Sequence, residues 1–262
     1  MGSLAQADGP SRAKSLLNAT GLSAENYACY PKNLCQERVL EFPAFFALTI
    51  FFCYTYSMII TYYGKQFFKI QQGEIILALN PISKNSKSKS SAHFGADLAF
   101  VTTNHPDYNG IEQLSHGDKE PFVINAPGDY EVKNIFVKGI MSQTEIEKKK
   151  YINTIYYFSL DNINILFLGA LSNFEINKEV NEVVNNLDII FVPVNPENIK
   201  ELVKFINALE PKIIIPTDYD DVSLKLFLKE IGGENAEKVD KLTLKRKDLD
   251  SKDGEVIILN AI

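Results

Sequence analysis

The sequence predicts an α/β protein with mixed β-sheets. Short apolar strands separated by glycine turns begin at Met58, and the last third of the chain alternates apolar strands with amphipathic helices. Antiparallel strands followed by a strand–helix alternation are typical of this fold class. The composition, with 45% hydrophobic and 23% charged residues, is that of an ordinary globular domain that buries a sizeable core.

The first group of strands is marked by its turns. Gly64 and Gly73 separate three short strands, which we expect to form an antiparallel meander. Pro127–Tyr130 is predicted to be a tight turn, and Asp161-Asn162 is predicted to join the two strands of a hairpin. The predicted strands of this part span residues 58–63, 66–70, 74–79, 98–101, 122–125, 134–140, 154–160 and 163–168.

The last third of the chain contains the helices. A helix over residues 196–209 is the best marked, because Pro196 lies in its first turn and its apolar residues fall on one face. A second helix over residues 222–231 ends at Gly232-Gly233, and residues 176–186 are a short helix candidate. Further strands are predicted at residues 187–194, 211–215, 241–245 and 255–259.

Residues 1–57 are predicted to be a weakly ordered N-terminal extension, and residues 58–262 the folded domain. The stretch from Phe42 to Tyr63 contains no charged residue, and a membrane-spanning helix needs about 20 such residues. If the first strand begins at Met58, only the apolar stretch 42–57 remains, which is short for a span. Two interpretations stay open: a membrane anchor in this stretch, or Met58 as the natural start of the protein.

Charge and cysteine usage narrow the function classes. The net charge of −6 argues against a nucleic-acid-binding protein, which usually presents a basic face. All three cysteines precede Met58, so the predicted domain depends on neither disulfides nor thiolate metal sites. We expect a cytoplasmic protein, or alternatively one that residues 42–63 anchor to a membrane.

One predicted strand ends in a cluster of polar residues. The apolar segment Leu98–Val101 is followed by a turn that carries Thr103, His105, Asp107 and Tyr108. In α/β proteins, polar side chains at the carboxyl end of a buried strand usually mark a binding site. The question for function is therefore whether this turn holds a metal ion.

Five segments, taken in order, carry a family resemblance. They are Ile60–Gly64 with Phe67–Ile70, Gly95–Thr102, Pro127–Val132, Asn153–Tyr156 with Ile165–Gly169, and Pro211–Pro216. Together they resemble the metallo-β-lactamase superfamily, and within it the small branch similar to L-ascorbate-6-phosphate lactonase. The resemblance runs from residue 58 to about 262. It implies a four-layer αββα sandwich of two mixed β-sheets, with the site at the edge between the sheets. It also implies a hydrolase that uses one or two zinc or manganese ions to activate water.

The family holds its metals with a His-x-His-x-Asp-His motif at the end of this strand. Residues 103–108 of this chain read Thr-Asn-His-Pro-Asp-Tyr. His105 and Asp107 therefore match the motif, whereas Thr103 and Tyr108 stand where two histidines belong.

The other ligand positions of the family are also substituted. Ala170 stands where the resemblance expects a bridging aspartate, and Asp218 replaces the final histidine. No histidine lies between Gly139 and Asn153 to serve as the middle ligand. A dinuclear site of this kind needs about five imidazoles. The whole chain contains only three histidines, which are His93, His105 and His116.

The resemblance thus implies a homologue with a degenerate metal site, which is non-catalytic and binds a small-molecule or protein ligand in the former cleft. Asn104, Tyr130 and Tyr219 are expected near the rim of that cleft. No cofactor is expected unless the residual site binds zinc or manganese.

Two alternative functions stay open. The first is a residual metal-dependent hydrolase of the lactonase or phosphoester type, with His105, Asp107 and Asp218 as metal ligands and Asp107 as the catalytic residue. The second is a membrane-tethered interaction protein held by residues 42–57. A plainer interpretation of the turn is that His105 and Asp107 only hydrogen-bond its backbone.

Overall fold

The computed structural model describes residues 56–88, 90, 92–117, 120–174 and 178–262. Residues 1–55 of the predicted N-terminal extension, with nearly all of the apolar stretch 42–57, lie outside these residues. No helix in the described part of the chain is long and apolar enough to cross a membrane.

The described residues form strands and short helices, and each predicted strand and helix is found in its predicted place in the order, with β6 and β12 in addition. The strands are β1 (Met58–Tyr62), β2 (Phe68–Gln72), β3 (Ile75–Leu79), β4 (Leu98–Phe100), β5 (Phe122–Ile124), β6 (Gly128–Val132), β7 (Ile135–Ile146), β8 (Lys149–Leu160), β9 (Ile163–Phe167), β10 (Ile189–Pro193), β11 (Ile213–Thr217), β12 (Glu237–Val239), β13 (Lys241–Leu244) and β14 (Glu255–Leu259). The α-helices are α1 (Lys178–Val183), α2 (Ile199–Leu209) and α3 (Asp221–Ile231).

The strands form two mixed sheets. The first sheet has the order β13-β1-β2-β3-β4-β5, in which β13 to β3 pair antiparallel and β3, β4 and β5 pair parallel. The second sheet has the order β12-β14-β11-β10-β9-β8-β7-β6. Its strands from β12 to β9 run parallel, and those from β9 to β6 run antiparallel.

The main core lies between the two sheets. Phe68 of β2 meets Phe191 of β10 edge-on with ring centroids 4.8 Å apart, and Phe100 of β4 stacks on Phe158 of β8 at 4.9 Å. Both geometries are favourable for aromatic pairs and add to the burial of their apolar surface. The expected sandwich of two mixed sheets is therefore confirmed.

The outer faces of the sheets are covered in different ways. The apolar face of α2, with Leu202, Phe205 and Ile206 buried, packs in one cluster with the outer face of the second sheet. On the first sheet, Ala78 and Ala99 pack against loop residues between β3 and β5. Over the described residues, this side carries a long loop and one 3₁₀ turn rather than an α-helix.

The structure corrects two local predictions. The tight turn predicted at Pro127–Tyr130 is wrong, because Gly128–Val132 forms the edge strand β6 and pairs with β7. The predicted strands 134–140 and 154–160 are too short, since β7 and β8 have 12 residues each. The added part is rich in charged residues. Glu145 lies opposite Lys150 in this hairpin, and opposite charges stabilise such a cross-strand pair without an apolar pattern.

Candidate functional site

The polar turn after β4 opens into a cleft of about 440 Å³. Loops that follow β9, β10 and β11 line one side of it, and the tip of the β7–β8 hairpin lines another. Lys65 and Gln66, in the turn between β1 and β2, also belong to the lining. The carboxyl ends of parallel strands therefore meet at this cleft, which is the usual place for a binding site in such sheets.

Lys65 joins the acidic residues of the cleft. Its ammonium nitrogen lies 3.0 Å from Asp218 Oδ1 and 4.0 Å from Asp107 Oδ2. The second oxygen of Asp218 accepts a hydrogen bond of 2.7 Å from the hydroxyl of Tyr108. The Ser86 hydroxyl donates to the other oxygen of Asp107. Each oxygen of the two carboxylates thus has a hydroxyl or ammonium partner in the protein itself.

Burial and charge fix the protonation of two of these groups. Burial works to lower the pKa of Lys65, but the negative charges of Asp218 and Asp107 outweigh it and raise that pKa. The pKa of Tyr108 is raised by burial first and by the Asp218 charge second. Lys65 is therefore an ammonium ion at neutral pH, and Tyr108 a neutral hydrogen-bond donor.

His105 is held by its own turn. Its Nδ1 accepts a hydrogen bond of 3.2 Å from the backbone N–H of Asp107 and lies 3.9 Å from Asp107 Oδ2. This bond places the proton of the neutral ring on Nε2. Tyr151 packs edge-on against the ring, with centroids 5.6 Å apart. His105 thus bonds the backbone of its turn as the plainer interpretation expects, whereas the Asp107 carboxylate contacts Ser86 and Lys65 instead.

Two of the substituted ligand positions, Thr103 and Ala170, hydrogen-bond to the same side chain, which is that of Asn153. Asn153 Oδ1 accepts hydrogen bonds from Thr103 Oγ1 at 3.1 Å and from the Ala170 N–H at 3.0 Å. The Asn153 amide nitrogen donates to the Leu168 carbonyl at 3.0 Å and to Ser142 Oγ at 2.8 Å. Asn153 and Thr103 are buried, so a neutral and satisfied network fills this part of the site.

One buried polar atom of the cleft lacks a partner. Gln66 is fully buried, and its Oε1 accepts a hydrogen bond of 2.8 Å from Asn80 Nδ2. Its amide nitrogen Nε2 has no hydrogen-bond partner among the described residues. Leaving a buried donor unsatisfied is unfavourable, so this nitrogen is suited to an acceptor atom of a ligand or a water molecule.

The residues present do not fit a metal centre. Over the described part of the chain, no group of three His, Cys, Asp or Glu side chains is arranged to hold a metal ion. His105, Asp107 and Asp218 all line the cleft. However, the ammonium group of Lys65 lies against the two carboxylates and competes with a cation for them.

The structure separates the other predicted site residues from the cleft. Asn104 accepts a hydrogen bond from Asn109, and the Tyr130 hydroxyl donates to the Ala126 carbonyl beside β6. Tyr219 lines a neighbouring cleft behind Lys65. His93 and His116, which match no ligand position of the family, lie together with ring centroids 6.5 Å apart. None of these residues lines the cleft described above.

Sequence reasoning missed Lys65, Gln66 and Asn153 as members of the site. Lys65 follows Gly64 in a predicted turn, where a lysine is usually solvated, and Gln66 begins the predicted strand 66–70. Asn153 is the first residue of one of the segments that carry the family resemblance, and this is the sign in the sequence that it belongs to the site. Its buried amide is the type of side chain that ties several backbone groups together.

Comparisons with solved structures agree on the fold. A proposed Zn-dependent hydrolase of the metallo-β-lactamase superfamily from Thermotoga maritima aligns with a TM-score of 0.60 at 22% identity, covering 78% of this chain and all of that one. A proposed metal-dependent hydrolase from Parabacteroides distasonis gives a TM-score of 0.55 at 15% identity, covering 80% of this chain and all of that one. The metallo hydrolase Igni18 from Ignicoccus hospitalis gives 0.52 at 13%, covering 78% of this chain and 95% of that one. At these identities the likeness shows the fold alone.

The family comparison is more specific. No curated protein matches the chain significantly. The family model described as the beta-lactamase superfamily domain matches residues 59–218, which is more than half of the chain and includes the cleft residues from Lys65 to Asp218. The chain therefore belongs to the beta-lactamase superfamily and has its metallo-β-lactamase fold.

Proposed function

We propose that this protein binds a small polar ligand in the former active-site cleft of the fold and does not hydrolyse it. The observation that carries the proposal is the contact of Asn153 Oδ1 with both Thr103 Oγ1 and the Ala170 N–H, at 3.1 and 3.0 Å. In the related hydrolases these two positions supply metal ligands, as the sequence resemblance implies. Here they are uncharged and bonded to each other through one amide, so they offer no donor set for activating water.

The size and charge of the cleft support the kind of ligand. A volume of about 440 Å³ is in the range of small-molecule sites. The lining carries more carboxylates than ammonium groups, since Asp220, Glu145 and Glu147 join Asp107 and Asp218 around the single lining lysine. Although Lys87 pairs with Glu147 at 2.9 Å, the remaining excess of negative charge repels a phosphate dianion, attracts a cationic molecule and does not repel a neutral one. The buried Gln66 Nε2 needs an acceptor, which a carbonyl oxygen supplies.

A ligand screen on the full-length chain tests this function. Thermal unfolding is followed with glycinamide and other amino-acid amides, which carry both an amine and a carbonyl, and with inorganic phosphate. The amides are expected to raise Tm, whereas phosphate is not. A rise with phosphate and none with the amides would contradict the proposal.

Gln66→Met is the matched variant for that screen. It removes the unpartnered nitrogen, while Asn80 Nδ2 keeps its second bond of 2.9 Å to Thr102 Oγ1. The amide-induced rise in Tm is expected to disappear in this variant. An unchanged rise would place the ligand elsewhere on the protein.

Residual hydrolysis is the competing function, because His105, Asp107 and Asp218 line the same cleft. Metal analysis of the purified chain after dialysis against zinc and manganese distinguishes the two. We expect less than about 0.1 ion per chain, since ligands already bonded to protein groups bind metal weakly. One or two tightly held ions, with hydrolysis that Asp107→Ala abolishes, would establish the hydrolase instead.

The likeness to the L-ascorbate-6-phosphate lactonase branch and the cytoplasmic location stay predictions of the sequence. The membrane-tethered alternative depends on residues 42–57, which lie almost entirely outside the described part of the chain.

A further inference from the structure

We infer that the Lys65 side chain is a tethered cation that replaces a metal ion in this cleft, and that its removal opens a divalent-cation site between Asp107 and Asp218. The inference rests on the proposed function, because both require that no resident metal holds these carboxylates. It adds a specific cause: one lysine keeps the cleft from binding metal.

The first argument is the position of the charge. The Lys65 nitrogen lies 3.0 Å from an oxygen of Asp218 and 4.0 Å from an oxygen of Asp107. The carboxylates come from loops after β11 and β4, in different sheets, and they are only 22% and 19% exposed. Two carboxylates so close together repel each other unless a cation lies between them. The ammonium group supplies that charge.

The second argument is the backbone that holds the pair. Lys65 and Asp218 both adopt left-handed conformations, with φ of 53° and 50°. The Asp218 N–H donates to the Lys65 carbonyl at 2.9 Å, and the Tyr62 hydroxyl donates to the same oxygen at 2.9 Å. Residues with a Cβ occupy this region at a cost, and such strain is maintained where the surrounding contacts fix it. The turn is thus built to keep this lysine against this aspartate.

The chemistry of the exposed carboxylates decides which cation would enter. Without Lys65, Asp107 and Asp218 offer carboxylate oxygens, and His105 lies beside them with Nδ1 3.9 Å from Asp107 Oδ2. His105 Nδ1 stays bonded to the Asp107 N–H, so the carboxylate oxygens decide the preference, and they suit a hard cation such as Mn²⁺. Water molecules would complete its coordination.

The variant Lys65→Gly removes the ammonium group and relieves the left-handed backbone, so the protein is expected to fold. Lys65→Met removes the charge while keeping the length of the side chain. Lys148→Gly is the matched control, because Lys148 is an exposed lysine with φ of 64° at the tip of the β7–β8 hairpin. Circular dichroism verifies that all four proteins are folded.

Manganese binding is measured by the loss of the free Mn²⁺ signal in electron paramagnetic resonance. Both Lys65 variants are expected to bind about one Mn²⁺ per chain, with at least about tenfold higher affinity than the wild type and Lys148→Gly. Equally weak binding by all four proteins would overturn the inference and leave the proposed function intact. Tight binding by the wild type would overturn both.

Discussion

The hydroxyl of Tyr108 donates a hydrogen bond of 2.7 Å to Asp218, a residue 110 positions further along the chain. Because Asp218 also receives the ammonium group of Lys65 at 3.0 Å, one carboxylate ties together the β1–β2 turn, the loop after β4 and the loop after β11. Tyr108 is 4% exposed, so its hydroxyl makes this bond from a buried position. The cleft is therefore held by contacts between its own walls.

Tyr108→Phe is expected to lower the free energy of unfolding by about 1.5 kcal/mol, because a bond from a buried hydroxyl to a carboxylate is lost. Urea unfolding at neutral pH measures this loss. Tyr130→Phe is the control, since its hydroxyl donates to the Ala126 carbonyl at an exposed position. That variant is expected to lose less than about 0.5 kcal/mol. Equal losses of unfolding free energy in the two variants would show that the buried Tyr108 hydrogen bond stabilises the protein no more than the exposed one of Tyr130.

The hydrogen bond from the Ala170 N–H to Asn153 Oδ1 requires a glycine at position 169. Gly169 has φ of +61°, and a Cβ there would lie 2.5 Å from Thr102 and 2.6 Å from Asn153 Oδ1. Gly169→Ala is therefore expected to cost about 3 kcal/mol, from the left-handed backbone and the clash together. Gly254 has φ of +64° with open space around it, so Gly254→Ala is expected to cost only about 1 kcal/mol. Chemical denaturation compares the two, and similar losses would mean that the clash is relieved at no cost.

The elements of the fold that can be predicted from the sequence are those in which apolar side chains recur with a helical or strand period. The helix after Pro196 can be predicted because its apolar residues recur on one face. The structure has α2 there, after one 3₁₀ turn. The outer half of the β7–β8 hairpin cannot be predicted from an apolar alternation. It is stabilised instead by opposite charges on neighbouring strands, such as Glu145 opposite Lys150. The strand β6 was mistaken for a turn because Gly128 and Pro127 are typical turn residues.

The residues of the candidate site also form two groups, one that the sequence predicts and one that it does not. His105, Asp107, Tyr108 and Asp218 could be found because the family resemblance names their positions, and all four line the cleft. Lys65 could not, since a lysine after a glycine turn carries no local sign of a partner in a distant loop. Its role follows from the tertiary fold, which brings the β1–β2 turn to the end of β11.

The carboxylate of Glu112 makes part of the stability depend on pH. Burial works to raise its pKa, but hydrogen bonds from the Lys84 N–H at 2.9 Å and the Ser83 hydroxyl at 2.8 Å outweigh it and hold the pKa below its usual value. A carboxyl with a lowered pKa in the folded state stabilises the protein above the unfolded pKa, and this contribution is lost as pH falls through the folded pKa. The advantage of the wild type over Glu112→Gln in unfolding free energy is therefore expected to shrink between about pH 7 and about pH 3. A constant difference across that range would contradict this role.

Asp188 links the sheets through a buried carboxylate. Its side chain is 1% exposed and contacts Lys212 at 2.8 Å and Arg246 at 3.0 Å, and it accepts a further bond from the Asn164 N–H. Arg246 follows β13 of the first sheet, whereas Asp188 precedes β10 of the second. Asp188→Asn is expected to lower the unfolding free energy by about 2 kcal/mol, less than for a fully buried pair because both cations are partly exposed.

Asp250→Asn provides the matched control for Asp188, because Asp250 contacts the same Arg246 at 4.0 Å but is 73% exposed. Its loss is expected to stay below about 0.5 kcal/mol, as is usual for an exposed pair. Urea unfolding of both variants separates the effect of burial from simple attraction to Arg246. If the two variants lost the same stability, burial of the Asp188 carboxylate would contribute nothing to the link between the sheets.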